Sequence, residues 1–158
     1  MSTKPRAHLE EAPISKSRLR LWLKLLKASN LVENELKRRL RNELNTTMPR
    51  FDVMAALQRS AEGMKMSEIS RYLMVSNGNI TGIVDKLTEE GLVLRVAVPG
   101  DRRANRVMLT SRGQKVFEQQ AATHEAWVNE ILGGLHADDV EGMIQRLDHM
   151  TDSLEESD

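Results

Sequence analysis

The chain has 158 residues, of which 40% are hydrophobic and 29% charged, a balance that fits one globular domain and excludes a disordered polyelectrolyte. It has no cysteine, which excludes disulfides, thiolate metal sites and thiol redox sensing. The net charge of zero hides a gradient: Lys and Arg outnumber Asp and Glu by 13 to 6 in residues 1–60 and by 8 to 6 in 61–113, and are outnumbered 2 to 11 in 114–158.

Residues 1–14 read as a loose tail, interrupted by Pro5 and Pro13. His8, Glu10 and Glu11 stand where a secretory leader needs an apolar core, so a cytoplasmic protein is expected. The apolar stretch 19–26 is broken by Arg20 and Lys24, too short and too charged for a membrane span. From Ser15 to Leu44, Trp22, Leu25, Val32, Leu36, Leu40 and Leu44 recur at helical spacing. Leu19, Leu21, Leu23, Leu26 and Leu31 make the front half apolar on a second side as well. A helix apolar on two sides needs two covers, one from its own domain and one from a second chain.

Pro49 opens a short helix with Phe51, Met54, Ala55 and Leu57 inward, ended by Gly63. Ser67 is expected to cap the next, with Ile69, Tyr72 and Leu73 buried. A turn at 75–78 leads to a third short helix, running to about Glu90 and closed by Gly91, with the stripe Ile80, Ile83, Val84 and Leu87. The β-branched segment 92–98 reads as a strand, 99–105 as a turn and 106–110 as the returning strand. Phe117, Ala121, His124, Val128, Ile131 and Leu135 then form a helical seam, broken at Gly133-Gly134. Val140, Met143, Leu147, Met150 and Leu154 mark a last helix. The expected fold is mainly α with a small β-hairpin wing: a winged helix-turn-helix in which residues 15–154 form one domain. Residues 49–113 are its DNA-binding lobe, flanked by the helical segments 15–44 and 114–154.

The second helix of such a motif enters the major groove, where base edges carry a full donor and acceptor code. Ser76, Asn77, Asn79, Thr81 and Lys86 present polar groups there, while Gly78 and Gly82 add no bulk. Each glycine costs about 1 kcal/mol against alanine in a helix, a cost offset by close approach of DNA or by tight helix packing. Arg102 and Arg103 at the hairpin tip, with Arg95 and Arg106 beside them, suit the narrow, electronegative minor groove. Asp101 would repel phosphate and fits better as a residue orienting its arginine neighbours.

The segments "SNGNITGIVDKLTEEGLV" and "PGDRRANRVMLTSRG" resemble the core of the MarR family of bacterial transcription regulators, and the resemblance extends over about residues 15–152. It implies a homodimer held by the dimerisation helices 15–44 and 114–154, a pseudo-palindromic operator, and release of the operator by a small effector bound between the dimer helices and the DNA-reading lobe. Ser70 stands where the family often has alanine. "PRFDVMAAL" with "RYLMVSNGNITGIVDKL" further resembles regulators that respond to hydroxycinnamoyl-CoA thioesters. Trp22, Arg50, Phe51, Met54 and His124 are then the candidate effector residues for an aromatic acid or its CoA thioester. Arg18, Arg20, Lys24 and Lys27 are available to CoA phosphates. Each of these positions also suits plain packing.

No phosphate loop, nucleophile elbow or paired-carboxylate signature occurs, so an enzyme, a cofactor and a catalytic residue are not expected. His136 with Asp138 and Asp139 reads as a helix start rather than a metal site. The alternative from another class is a winged-helix module that binds protein within a larger assembly.

Overall fold

The computed structural model describes residues 13–157, apart from the side chains of residues 101–104. Its elements run α1 (Ile14–Glu43), α2 (Met48–Gln58), β1 (Met64–Lys65), α3 (Met66–Leu73), α4 (Asn77–Glu89), β2 (Val93–Val98), β3 (Asp101–Leu109), α5 (Ser111–Ile131) and α6 (Ala137–Glu155). Residues 1–12 of the expected tail lie outside the described residues. The chain forms two compact units, residues 1–35 and 36–158.

In the larger unit the core is built from apolar faces at helical spacing. Leu36, Leu40, Val53, Met54, Leu57, Ile69, Ile80, Val84 and Leu87 are buried, joined by Val93, Val107, Phe117 and Trp127. Local caps define the helix starts. Thr47 accepts the Arg50 N–H at 3.4 Å and Thr110 accepts the Gly113 N–H at 2.9 Å. Before α6 the His136 N–H donates to Asp139 at 3.4 Å, so the Asp pair starts a helix there.

Three expectations need correction. Ser67 does not cap α3; the N-cap is Lys65, whose N–H donates to Glu68 at 3.2 Å. The cap moves because Met64 and Lys65 pair with Val107 and Arg106, carrying an extended backbone up to the helix. Tyr72 is not buried; it is 55% exposed, and Arg59 donates to its hydroxyl at 2.9 Å. The hairpin is tighter than read, because β3 begins at Asp101 and the turn is confined to Pro99 and Gly100, the latter at φ +86°.

The sheet order is β1-β3-β2, antiparallel throughout, with an irregularity between Ala97 and Val98 that absorbs the extra residues of β3. Gly113 is required for α5 to start where it does. A Cβ there would stand 1.9 Å from the Leu92 carbonyl oxygen, so only a bare backbone lets α5 cross the end of β2. By contrast α6 has no buried residue: Met143, Ile144, Leu147, Met150 and Leu154 all lie open to solvent. In the smaller unit Leu19, Leu21, Trp22, Leu23, Leu26 and Leu31 are likewise exposed.

Candidate nucleic-acid interface

The helix-turn-helix consists of α3 and α4, joined through Met74 in the left-handed region at φ +56°. The Ser70 hydroxyl donates to the Val75 carbonyl and closes the turn. Ser76 caps α4, its hydroxyl accepting the Asn79 N–H at 3.4 Å. Ile80, Val84 and Leu87 anchor the helix inward. The periodicity of 3.6 then turns Asn77, Gly78, Asn79, Thr81 and Lys86 outward, and all five are exposed. The Thr81 hydroxyl donates back to the Asn77 carbonyl at 2.9 Å, leaving its oxygen as an acceptor on the surface. Around Gly78 and Gly82 no atom of the described residues, the adjoining residues and nearby backbone of α4 itself aside, comes within 4 Å of where a Cβ would be. Packing between the described helices therefore does not account for either glycine.

The sheet stands beside this face. Arg95 on β2 pairs with Asp85 on α4, tying wing to helix. Arg106, in the central strand, is half-buried and donates to the Gly63 carbonyl at 3.1 Å, so part of its guanidinium serves the fold. The side chains of Asp101, Arg102 and Arg103 lie outside the described residues; their backbone opens β3 directly after the turn. A groove of about 510 Å³ brings Asn77, Thr81 and Arg95 together with Lys65, Met66, Ser67 and Asn105. Sequence periodicity did not single out Lys65, Ser67 and Asn105. Lys65 reaches the groove through a two-residue strand, and no sequence period marks so short an element.

Within the larger unit the candidate effector residues divide between two places. Phe51 is buried and its ring stacks on His124, centroids 4.7 Å apart at 28°, with Phe117 at 5.3 Å on the same ring. Burial pushes the His124 pKa below its ordinary 6.5, against the opposing pull of Asp52. Arg50 and Met54, one turn apart on α2, line a separate cavity of about 510 Å³ with Leu92, Arg112, Val116 and Gln120. The Arg50 guanidinium pairs with Glu90, the C-cap residue of α4. Trp22 belongs to the smaller unit and is 56% exposed, as are Arg18, Arg20, Lys24 and Lys27 to varying degrees. Among the described residues no three His, Asp or Glu side chains gather as a metal site, and no helix is long and apolar enough to cross a membrane.

Comparison with known proteins agrees with this geometry. The MarR family model matches residues 46–104, the span from the α2 cap into the wing. The transcriptional activatory protein BadR of Rhodopseudomonas palustris is 31% identical over 163 aligned positions, covering 100% of this chain and 93% of that protein. A MarR family transcriptional regulator from Silicibacter pomeroyi superimposes with a TM-score of 0.74 at 28% identity, covering 91% of this chain and 99% of its own. A mutant MarR from E. coli, solved in complex with operator DNA, shares the fold with a TM-score of 0.71 at 24% identity, over 88% and 99% of the two chains. The chain belongs to the MarR family of winged-helix transcriptional regulators, and it is a DNA-binding regulator, not an enzyme.

Proposed function

We propose that the chain acts as a homodimeric repressor of a pseudo-palindromic operator, with α4 reading the major groove and the wing entering the adjacent minor groove. Asn77, Gly78, Asn79, Thr81 and Lys86 face the bases and phosphates, and Ser76 holds the start of the helix. Arg95, Arg102, Arg103 and Arg106 supply the wing, and Asp101 orients it. The observation that carries this reading is the polar outer face of α4, where a Cβ on either glycine would meet none of the described residues within 4 Å, beside a groove lined by Lys65 and Arg95. The same fold on operator DNA in the E. coli protein supports it. In a two-fold dimer the two recognition helices would meet major grooves about 34–36 Å apart.

The test is a salt series of DNA binding, measured by fluorescence anisotropy on the fragment upstream of its own gene. Replacing Arg102 and Arg103 by Ala should weaken binding at least tenfold and flatten the salt dependence, because fewer counterions are released. Asp101→Ala should weaken binding too, although it removes a negative charge. Tighter binding by Asp101→Ala would refute its orienting role, and an unaltered salt slope in the double variant would refute the wing. A protein-binding winged-helix module would show no salt-dependent DNA binding at all.

The effector in this reading is an aromatic acid or its CoA thioester, received by residues among Trp22, Arg50, Phe51, Met54 and His124. The aromatic stack of Phe51 on His124 and the cation of Arg50 beside Met54 support it. Titration with a hydroxycinnamoyl-CoA thioester or its free acid should quench Trp22 and release DNA with matching midpoints. Free CoA should do neither.

A further inference from the structure

From Asn77 to Val84 the first two turns of α4 carry no lysine or arginine, and their exposed polar side chains are Asn77, Asn79 and Thr81. Among the described residues neither asparagine amide makes a hydrogen bond. Asn77 takes part through its backbone carbonyl, and Asn79 through its backbone N–H. Each amide therefore keeps a donor and an acceptor side by side. The Thr81 hydroxyl donates its hydrogen to the Asn77 carbonyl at 2.9 Å, which leaves a methyl group and an acceptor.

The helical period sets Gly78 and Gly82 between Asn77 and Thr81 on one flank and Asn79 on the other. Asn77 and Thr81 line a hollow of about 510 Å³, and Asn79 lines another of about 340 Å³. An asparagine amide extends little beyond its Cβ, so it meets a base edge only where the helix sits deep in the groove. Two glycines along the centre of the face remove the side chains that would hold the helix off. The cations stand further away. Arg95 lies on β2 and is paired with Asp85, and Lys65 lies on β1. Lys86 follows Asn77 by nine positions, about 13 Å along the axis at the helical rise.

In the major groove adenine presents an acceptor at N7 beside a donor at N6, which match the two ends of an asparagine amide. Thymine presents a methyl group, which suits the methyl of threonine. Guanine presents two acceptors, which suit arginine or lysine. We propose that the half-site read by α4 has a core of A·T pairs. Asn77 and Asn79 each grip an adenine through N6 and N7, the Thr81 methyl packs on a thymine methyl, and Lys65, Lys86 and Arg95 hold phosphates. This rests on the reading of α4 as the major-groove helix and goes beyond it by naming the base pairs.

Selection by the full chain from a library of randomised duplexes tests the proposal, and the enriched half-sites should share consecutive A·T pairs. The best duplex is then remade with 7-deazaadenine, which lacks N7, with deoxyuridine, which lacks the thymine methyl, and with 7-deazaguanine. Fluorescence anisotropy reads the affinities. 7-Deazaadenine at a contacted position should weaken wild-type binding about tenfold, and should cost Asn77→Ala or Asn79→Ala, whichever has lost that contact, less than about twofold. Deoxyuridine should cost the wild type about threefold and Thr81→Ser nothing measurable, while 7-deazaguanine should cost the wild type less than about twofold. Half-sites with a G·C core would overturn the base assignment and leave the operator reading in place. So would a loss with 7-deazaguanine equal to that with 7-deazaadenine, or a 7-deazaadenine loss intact in both asparagine variants. Equal affinity for the thymine and deoxyuridine duplexes would overturn the role of Thr81. A library that yields no salt-dependent binding would overturn both the base assignment and the operator reading.

Discussion

Four glycines show how one residue type serves opposite purposes. At Gly113 an added Cβ would meet the Leu92 carbonyl at 1.9 Å, and at Gly63, held at φ +81°, it would meet Met108 Cγ at 2.5 Å and the Val107 carbonyl at 2.6 Å. Backbone atoms cannot swing aside, so Gly113→Ala should cost about 3 kcal/mol in urea unfolding, at the upper end of overpacking costs. At Gly78 and Gly82 an added Cβ would meet none of the described residues within 4 Å outside α4's own backbone and the adjoining residues. Alanine at Gly78 should therefore stabilise the fold by about 0.5–1 kcal/mol through helix propensity. If DNA approaches there, the same variant should bind DNA more weakly; equal binding would assign Gly78 no role in the interface. His124 makes a second prediction at this scale. Its folded pKa is depressed by burial, so its contribution to stability is full above about 6.5 and is lost as pH falls below that value. An NMR titration should place its midpoint below 6.5, and Asp52→Asn should lower it further by removing the charge that opposes the shift. A midpoint above 6.5 would show that burial is not the larger influence.

Among the elements, the wing is held to the DNA-reading lobe by unequal ties. The Arg95–Asp85 pair is exposed on both sides, and such pairs are worth about 0–1 kcal/mol. Thr110 carries more. Its hydroxyl accepts the Gly113 N–H at 2.9 Å and donates to the Gly91 carbonyl at 2.7 Å, joining the end of the sheet, the start of α5 and the turn after α4. Thr110→Ala should cost about 1–2 kcal/mol and Asp85→Ala less than about 1 kcal/mol in thermal unfolding. The reverse order would mean that the helix–wing ion pair, not the α5 cap, sets the position of the wing.

At the scale of the molecule, none of the described residues of α6 is buried, and Leu19, Leu21, Trp22, Leu23, Leu26 and Leu31 of α1 are exposed. A groove of about 730 Å³ lined by His124, Val128, Leu132, Leu135 and Val140 runs along the junction of α5 and α6. Surfaces of this kind on a free chain mark an interface. The helices 15–44 and 114–154 should bury more than about 2,000 Å² between two copies, so that folding and association occur together. Sedimentation equilibrium at micromolar concentration should give twice the mass of the chain, with a Tm that rises with concentration. A folded monomer under those conditions would refute the assignment.

The sequence alone determined the order of the helices and of the β2–β3 hairpin, and with them the winged-helix class, because period, caps and glycine closures are local properties. Spacings of three and four residues marked α1, α2, α4 and α5, Pro49 marked a start, and Gly91 at φ +73° marked a stop. The apolar stripe of α4 likewise specified which of its residues point outward. Only the tertiary structure decided the rest, because each remaining feature is a relation between distant segments. The strand β1 exists through its pairing with β3, and that pairing moved the α3 cap to Lys65 and brought Lys65 into the groove beside Arg95. Tyr72 turned outward because an 8-residue helix buries mainly Ile69 and leaves its phenol to Arg59. Arg106 reads in the sequence as one more wing cation, yet 43 positions back along the chain the Gly63 carbonyl claims part of it. Gln120, whose Oε1 lacks a partner among the described residues as Arg50 Nε does, had no signature at all, since an unsatisfied atom is defined by what the folded surroundings fail to supply.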